Sequence, residues 1–339
     1  MHAIIPVAGF GTRLRPHTYS RPKVLLNVAG KPILAHILDH LITAGVTRAT
    51  IIVGYMGEAV EAFVRGAYPA LTVNFVEQEQ LLGLGHAIWV ARESIPSDGS
   101  PLFIILGDTI FGVDLAQVFH LPTSALGVKE VEDPRHFGIA EVENDMITHL
   151  VEKPEHPKTN LAVVGLYFFR NPSLLRTCLE ELVDKDIRTR NEYQLTDALQ
   201  MMIERGERFA TFPVSEWYDC GKPETLLETN RHLLDRASLR KEESGGIADG
   251  ASALHTRSVI NPPVFIGKGS TLSNCVVGPY ATIGPGAFIE NAIVRDSIIG
   301  DGARLECVML ESSIIGNDAV VKGGFHCISA GDSAEVRLH

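Results

Sequence analysis

Between residues 7 and 23 the chain reads Val7-Ala8-Gly9-Phe10-Gly11-Thr12-Arg13-Leu14-Arg15-Pro16 and closes on Pro22-Lys23. Two glycines followed by spaced cations are the parts of a phosphate cradle. Lacking Cβ, Gly9 and Gly11 can aim successive N–H groups at an anion and let phosphate oxygens approach the main chain. Arg13 and Lys23 add positive charge. The apolar run Ala3-Ile4-Ile5-Pro6-Val7 before them reads as a buried first strand, which puts the glycines at a strand's C-terminal end, where open α/β sheets bind ligands. Neither the Gly-x-x-x-x-Gly-Lys-Ser/Thr of a P-loop nor the Gly-x-Gly-x-x-Gly of a dinucleotide fold is present.

The string GxGTRxRP, followed by PKxLL and then Lys31-Pro32-Ile33, resembles the sugar-nucleotide pyrophosphorylases, nucleotidyltransferases that join an NTP to a sugar 1-phosphate. Their reaction is an in-line attack at the α-phosphorus with pyrophosphate leaving. The attacking phosphate is already anionic and needs no general base, so catalysis is positioning and charge neutralisation. Cations and metal-binding carboxylates are therefore expected, not a His or Cys nucleophile. Leu106-Gly107-Asp108 supplies one acid at the end of an apolar run, and Trp217-Tyr218-Asp219-Cys220-Gly221-Lys222-Pro223 a second. Two carboxylates with substrate phosphates suit Mg2+. In the family these motifs read LGDN and W-x-D-x-G-x-P and their aspartates carry the metal, which implies Asp108 and Asp219 as ligands. Thr109 replaces the usual asparagine, and Cys220 a residue commonly threonine. Taken alone, Asp108 also fits a strand-end turn and Asp219 a helix cap.

By the same resemblance Ala8, Gly9, Gly11 and Thr12 bind the nucleotide, Arg13 holds the β- and γ-phosphates, and Lys23 neutralises the reacting centre. Gln78 and Gly83 match the positions that read the base. A side-chain amide offers both a donor and an acceptor to a pyrimidine edge. A freely rotating glutamine would suit cytosine as well as uracil or thymine, so backbone groups must share the discrimination. His86, on the following helical stretch, reads as packing or capping. The sugar side resembles the family's acceptor pocket at Phe137-Gly138-Ile139-Ala140, Glu152-Lys153-Pro154 and Val164-Gly165-Leu166-Tyr167. There Gly138 leaves room for a hexose, Glu152 accepts hydroxyl hydrogen bonds, Lys153 meets the sugar phosphate, and Val164 belongs to the same pocket. Glu192, Thr196 and Asp197 match another family segment, although Thr196-Asp197 also fits a helix cap.

Elements that would position these groups follow from patterning. Up to about residue 235, apolar strands at Thr50–Val53, Thr72–Val76, Leu102–Leu106 and Ala162–Phe169 alternate with helical stretches at Pro32–Ile42, Gly85–Ala91 and Glu192–Ile203. The expected fold class is α/β, a Rossmann-like nucleotidyltransferase domain over residues 1–236 with a mostly parallel sheet. Residues 237–259, with the polar run from Arg240 to Gly246, read as a linker. Aliphatic residues then recur every five or six positions, at Ile266, Leu272, Val277, Ile283, Ile289, Val294, Ile299, Leu305, Leu310, Ile315 and Val321, often before glycine. Period six means a three-sided coil with glycines at its corners. The pattern resembles the left-handed parallel β-helix of hexapeptide-repeat proteins, assigned with its tail to residues 260–339. Within the pyrophosphorylases this layout is similar to the long form of glucose-1-phosphate thymidylyltransferase.

The 339 residues suffice for two domains, and a net charge of -11 argues against nucleic acid or an acidic membrane as partner. The expected partners are an NTP (dTTP or UTP) and a sugar 1-phosphate, with a homo-oligomer. Five cysteines without zinc-ligand spacing, no signal peptide and no 18-residue apolar run point to the cytoplasm. Three alternatives stay open: a uridylyltransferase of the same fold, a second acyltransferase activity using His255 or His326, and a non-catalytic regulatory subunit. The presence of Arg13, Lys23, Asp108 and Asp219 together argues against the last.

Overall fold

The computed structural model describes residues 1–244 and 254–324. They form two compact units, one of Met1–Leu26 with Lys31–Thr229, the other of Asn27–Gly30 with the described residues from Asn230 on.

In the first unit the elements are β1 (His2–Pro6), α1 (Ile33–Thr43), β2 (Arg48–Val53), α2 (Gly57–Ala67), β3 (Thr72–Glu77), α3 (Leu84–Val90), β4 (Leu102–Ile105), β5 (Thr109–Gly112), α4 (Leu115–Val118), β6 (Ser124–Glu130), β7 (Gly138–Glu143), β8 (Met146–Glu152), β9 (Leu161–Phe169), α5 (Ser173–Asp184), α6 (Leu195–Glu204), β10 (Phe209–Pro213) and β11 (Glu216–Asp219). Nine strands form one sheet in the order β3-β2-β1-β4-β9-β6-β10-β8-β7. Its central residues are fully buried, Ile4, Ile52, Leu102 and Ile104 among them. Burying such strands on both faces is what their continuous Val/Ile/Leu runs require.

The α/β class holds, but the sheet is mixed where alternation pointed to a mostly parallel one. Strands β3, β2, β1 and β4 run parallel, as do β6 and β10, while β9 is antiparallel to β4 and β6, and β8 to β10 and β7. Crossover helices α1 and α2 follow β1 and β2 and return the chain to a parallel neighbour each time; β7 and β8 are joined by Asn144-Asp145 alone, both at positive φ. A two-residue loop of that kind makes an antiparallel hairpin.

The helix α7 (Pro223–Ser244) runs into the segment expected as linker. Arg240, Lys241, Glu242 and Glu243 are good helix formers, and the chain meets no breaker until Gly245. Residues 245–253 lie outside the described residues.

In the second unit short strands from Leu254 to Lys322 stack in parallel into three sheets, the left-handed β-helix the repeat predicts, beginning slightly before residue 260. Each of the eight recurring aliphatics from Ile266 to Leu305 is buried, and Leu310, Ile315 and Val321 pack against that core. The corners differ from expectation. Columns of left-handed residues mark them: Arg257, Asn274, Asn291 and Cys307 on one, Tyr280, Asp296 and Ser312 on another, and Gly269, Gly286, Gly302 and Asp318 on the third. The glycines after the aliphatics, Gly267, Gly284 and Gly300, serve close stacking instead, because a Cβ on each would lie 2.3–2.6 Å from the next coil's backbone.

Candidate active site

Strands β1 and β4 are parallel neighbours, so the loops after them leave the same edge of the sheet. Gly107 donates its N–H to the Pro6 carbonyl at 3.3 Å, and a Cβ on Gly107 would strike Val7 Cγ1 at 2.3 Å. This close approach sets Asp108 beside the cradle. The cradle turns at Gly11, whose φ of +62° starts a single 3-10 turn, Thr12–Leu14. Thr18 Oγ1 donates to the Gly11 carbonyl at 2.9 Å, Ala8 is buried, and Gly9, Thr12 and Arg13 are exposed. A Cβ on Gly9 would meet nothing within 4 Å. That open space lies along the main chain itself.

The second acid arrives by strand pairing. β11 lies antiparallel to β5 with Asp219 opposite Thr109, and Cys220 donates its N–H to the Asp108 carbonyl at 3.0 Å. Lys23, itself buried, donates from Nζ to Asp108 Oδ2 at 2.6 Å and stands 4.0 Å from Asp219 Oδ1. Arg13 closes the group: a Cβ on Gly221 would lie 2.8 Å from both Arg13 Nη2 and the Asp219 carboxylate oxygens. Thr109 Oγ1 donates to Asp108 Oδ1 at 3.4 Å, so the residue in place of asparagine still touches the acid. Cys220 is buried, which pushes its thiol up to about 12, an inert packing residue.

The two acids sit in opposite electrostatic states. Burial acts to raise Asp108, but the adjoining Lys23 charge and its hydrogen bond outweigh it and hold the carboxyl below the ordinary range. Asp219 is raised, by burial first; Lys23 pulls it down, while the Asp108 charge pushes it further up. Two carboxylates thus share one buried ammonium.

Gln78 ends up buried at the end of β3. Its Nε2 faces the Gly83 carbonyl at 3.3 Å and His86 Nδ1 at 3.1 Å. Reading the sequence as packing at His86 missed that bond; the Gly83 turn, at φ +108°, is what folds Gln78 back onto the start of α3. Glycine is required at that turn because a Cβ would come 2.6 Å from the Tyr193 carbonyl.

At the end of β8, Thr196 Oγ1 donates to Glu152 Oε2 at 2.7 Å and Lys153 Nζ lies 3.2 Å from Glu152 Oε1. A Cβ on Gly138 would lie 3.0 Å from Thr196 Oγ1 and 3.1 Å from Glu152 Oε2. Val164 is buried in β9, where the register with β6 shifts between Val163 and Tyr167, so its backbone leaves the ladder. Asp197 Oδ2 is buried without a hydrogen-bond partner, and burial raises its pKa. His255 lies exposed on a β-helix strand paired with Leu272; His326 lies outside the described residues.

Residues 2–236 match the profile of the family described as "Nucleotidyl transferase". The chain belongs to the nucleotidyl transferase family. A glucose-1-phosphate thymidylyltransferase of Streptomyces antibioticus is 33% identical over 316 residues, 88% of this chain and 87% of that protein. A UTP--glucose-1-phosphate uridylyltransferase, AglF of Haloferax volcanii, is 32% identical over 252 residues, covering 71% of this chain and all of the relative. A solved UDP-glucose pyrophosphorylase complexed with UDP-glucose superposes with a TM-score of 0.59 at 27% identity, covering 69% of this chain and 98% of that one. Among the described residues no helix is long and apolar enough to cross a membrane.

Proposed function

We propose that this nucleotidyltransferase joins a pyrimidine nucleoside triphosphate, dTTP or UTP, to glucose 1-phosphate, giving the NDP-sugar and pyrophosphate. One observation carries the reading: Arg13, Lys23, Asp108 and Asp219, spread over more than 200 residues of sequence, converge at the C-terminal edge of β1 and β4. An oxygen of the sugar phosphate attacks the α-phosphorus in line, the P–O bond to the β-phosphate breaks, and pyrophosphate leaves. No proton needs to be removed from the nucleophile. Lys23 neutralises charge at the α-phosphate, Arg13 holds the β- and γ-phosphates, and the backbone at Ala8, Gly9, Gly11 and Thr12 lines the triphosphate. Gln78 and Gly83 read the base; Gly138, Glu152, Lys153 and Val164 bind the sugar phosphate.

The donor set fits Mg2+. Asp108 and Asp219 are hard oxygen donors in adjoining register, and the Lys23 ammonium already sits where positive charge between them is stabilised. When bound, the metal neutralises phosphate charge and fixes the phosphate oxygens. The cysteines Cys178, Cys220, Cys275 and Cys307 are free thiols, in keeping with a reducing cytoplasm. The test is pyrophosphate release: it should require the NTP, glucose 1-phosphate and Mg2+ together. Release without the sugar phosphate would contradict the reading.

A further inference from the structure

We infer that His86 is a positioning residue that locks the Gln78 amide, so that the site accepts the N3–H of uracil or thymine and rejects cytosine. The inference rests on the proposed base-reading role of Gln78 and adds what orients it. A carbonyl oxygen can only accept, so the amide group facing Gly83 O must be the NH2. That carbonyl cannot swing away, because it also accepts the Ala87 N–H at 3.1 Å as the first bond of α3. With Nε2 fixed there, its second hydrogen points to His86 Nδ1, which must accept. A neutral ring protonated on Nε2 meets that demand. Burial lowers the His86 pKa, with Arg188 acting the same way and a hydrogen bond to the Gln80 backbone opposing. The ring is held in place by stacking, 5.6 Å from Trp89 and 6.1 Å from Tyr193.

With both amide hydrogens engaged, Oε1 is the part of Gln78 left to meet a base. Among the described residues nothing donates to it. Uracil and thymine offer N3–H to such an acceptor, whereas cytosine presents a bare N3 lone pair. A free glutamine would rotate to follow cytosine; this one would first have to break its bonds to Gly83 and His86.

The test is the ratio of kcat/KM for UTP over CTP, measured with glucose 1-phosphate in the full-length protein. In His86→Phe the aromatic stack stays and the acceptor goes, and the ratio should fall by about tenfold, the scale of one mispaired polar contact. His86→Asn can place Oδ1 near the position of Nδ1 and should keep the ratio within about threefold of wild type, a rescue no packing role predicts. An unchanged ratio in a folded His86→Phe, alongside a collapsed ratio in Gln78→Ala, would overturn the His86 lock alone. An unchanged ratio in Gln78→Ala would overturn the base-reading role, and the lock with it.

Discussion

Lys23 Nζ lies 2.6 Å from Asp108 Oδ2, although 85 residues separate them in sequence. A buried ammonium held against one carboxylate and 4.0 Å from another is a fixed charge, which the proposed reaction sets against the substrate phosphates. Such preorganised charge acts on the transition state more than on the fold. Lys23→Met is therefore expected to lose at least about a hundredfold in kcat for pyrophosphate release, with far-UV circular dichroism unchanged. A folded variant within tenfold of wild type would remove Lys23 from the reacting centre.

Asp108 and Asp219 should respond oppositely in stability. Asp108 is lowered in the fold, so its contribution is present above its unfolded pKa and lost as pH falls through the folded value. Asp219 is raised, mainly by burial, so the fold favours its protonated form. Its ionisation penalises the fold increasingly as pH rises from the unfolded value, about 3.9, through the folded one. At pH 7 without metal, Asp219→Asn should raise the Tm by about 1–3 °C and Asp108→Asn lower it by a similar amount. Both should lose at least about a hundredfold in activity. Thermal melts beside activity assays check this, and a lower Tm for Asp219→Asn would refute the assignment of strain to that acid.

Glycines around the site serve different ends. A Cβ at Gly221 would press on Arg13 and Asp219, whereas one at Gly9 would enter open space. Gly221→Ala should reduce kcat by about ten- to a hundredfold by displacing both groups. Gly9→Ala should fold normally and act on the triphosphate, raising the KM for the NTP by about tenfold. Steady-state kinetics separates the two, and a kcat defect confined to Gly9→Ala would reverse the roles given to these positions.

The β-helix core is built of three columns of aliphatics, one from each sheet, and in one of them Leu272, Ile289 and Leu305 are fully buried. Ile289→Ala leaves a cavity that neighbouring coils cannot fill, since their backbones are already in contact at Gly267, Gly284 and Gly300. A loss of about 2–5 kcal/mol is expected for the β-helix, measured by chemical denaturation. A loss below about 1 kcal/mol would mean the coils relax around the gap.

What the sequence made legible was periodic or clustered. The six-residue repeat located eight buried aliphatics of the β-helix, from Ile266 to Leu305, and the short motifs named Lys23, Asp108 and Asp219 before any geometry joined them. The mixed sheet was hidden because β7 and β8, seven-residue stretches or shorter, depend on pairing across the sheet rather than on local pattern. The corner columns escaped because left-handed backbone at Arg257, Tyr280 or Cys307 follows from the coil's geometry, not from residue type. His86, read as packing or capping, does stack on Trp89 and Tyr193, but its bond to Gln78 was not legible because it depends on the Gly83 turn that brings the two side chains together.

The most direct test of the central claim is steady-state pyrophosphate release with glucose 1-phosphate and each of five nucleotides: dTTP, UTP, CTP, ATP and GTP. Both dTTP and UTP should be used, with kcat/KM within about tenfold of each other because only a methyl group separates their bases. CTP should be about ten- to a hundredfold worse, and the purines worse still. A clear preference for ATP or GTP would contradict both the pyrimidine assignment and the role of Gln78.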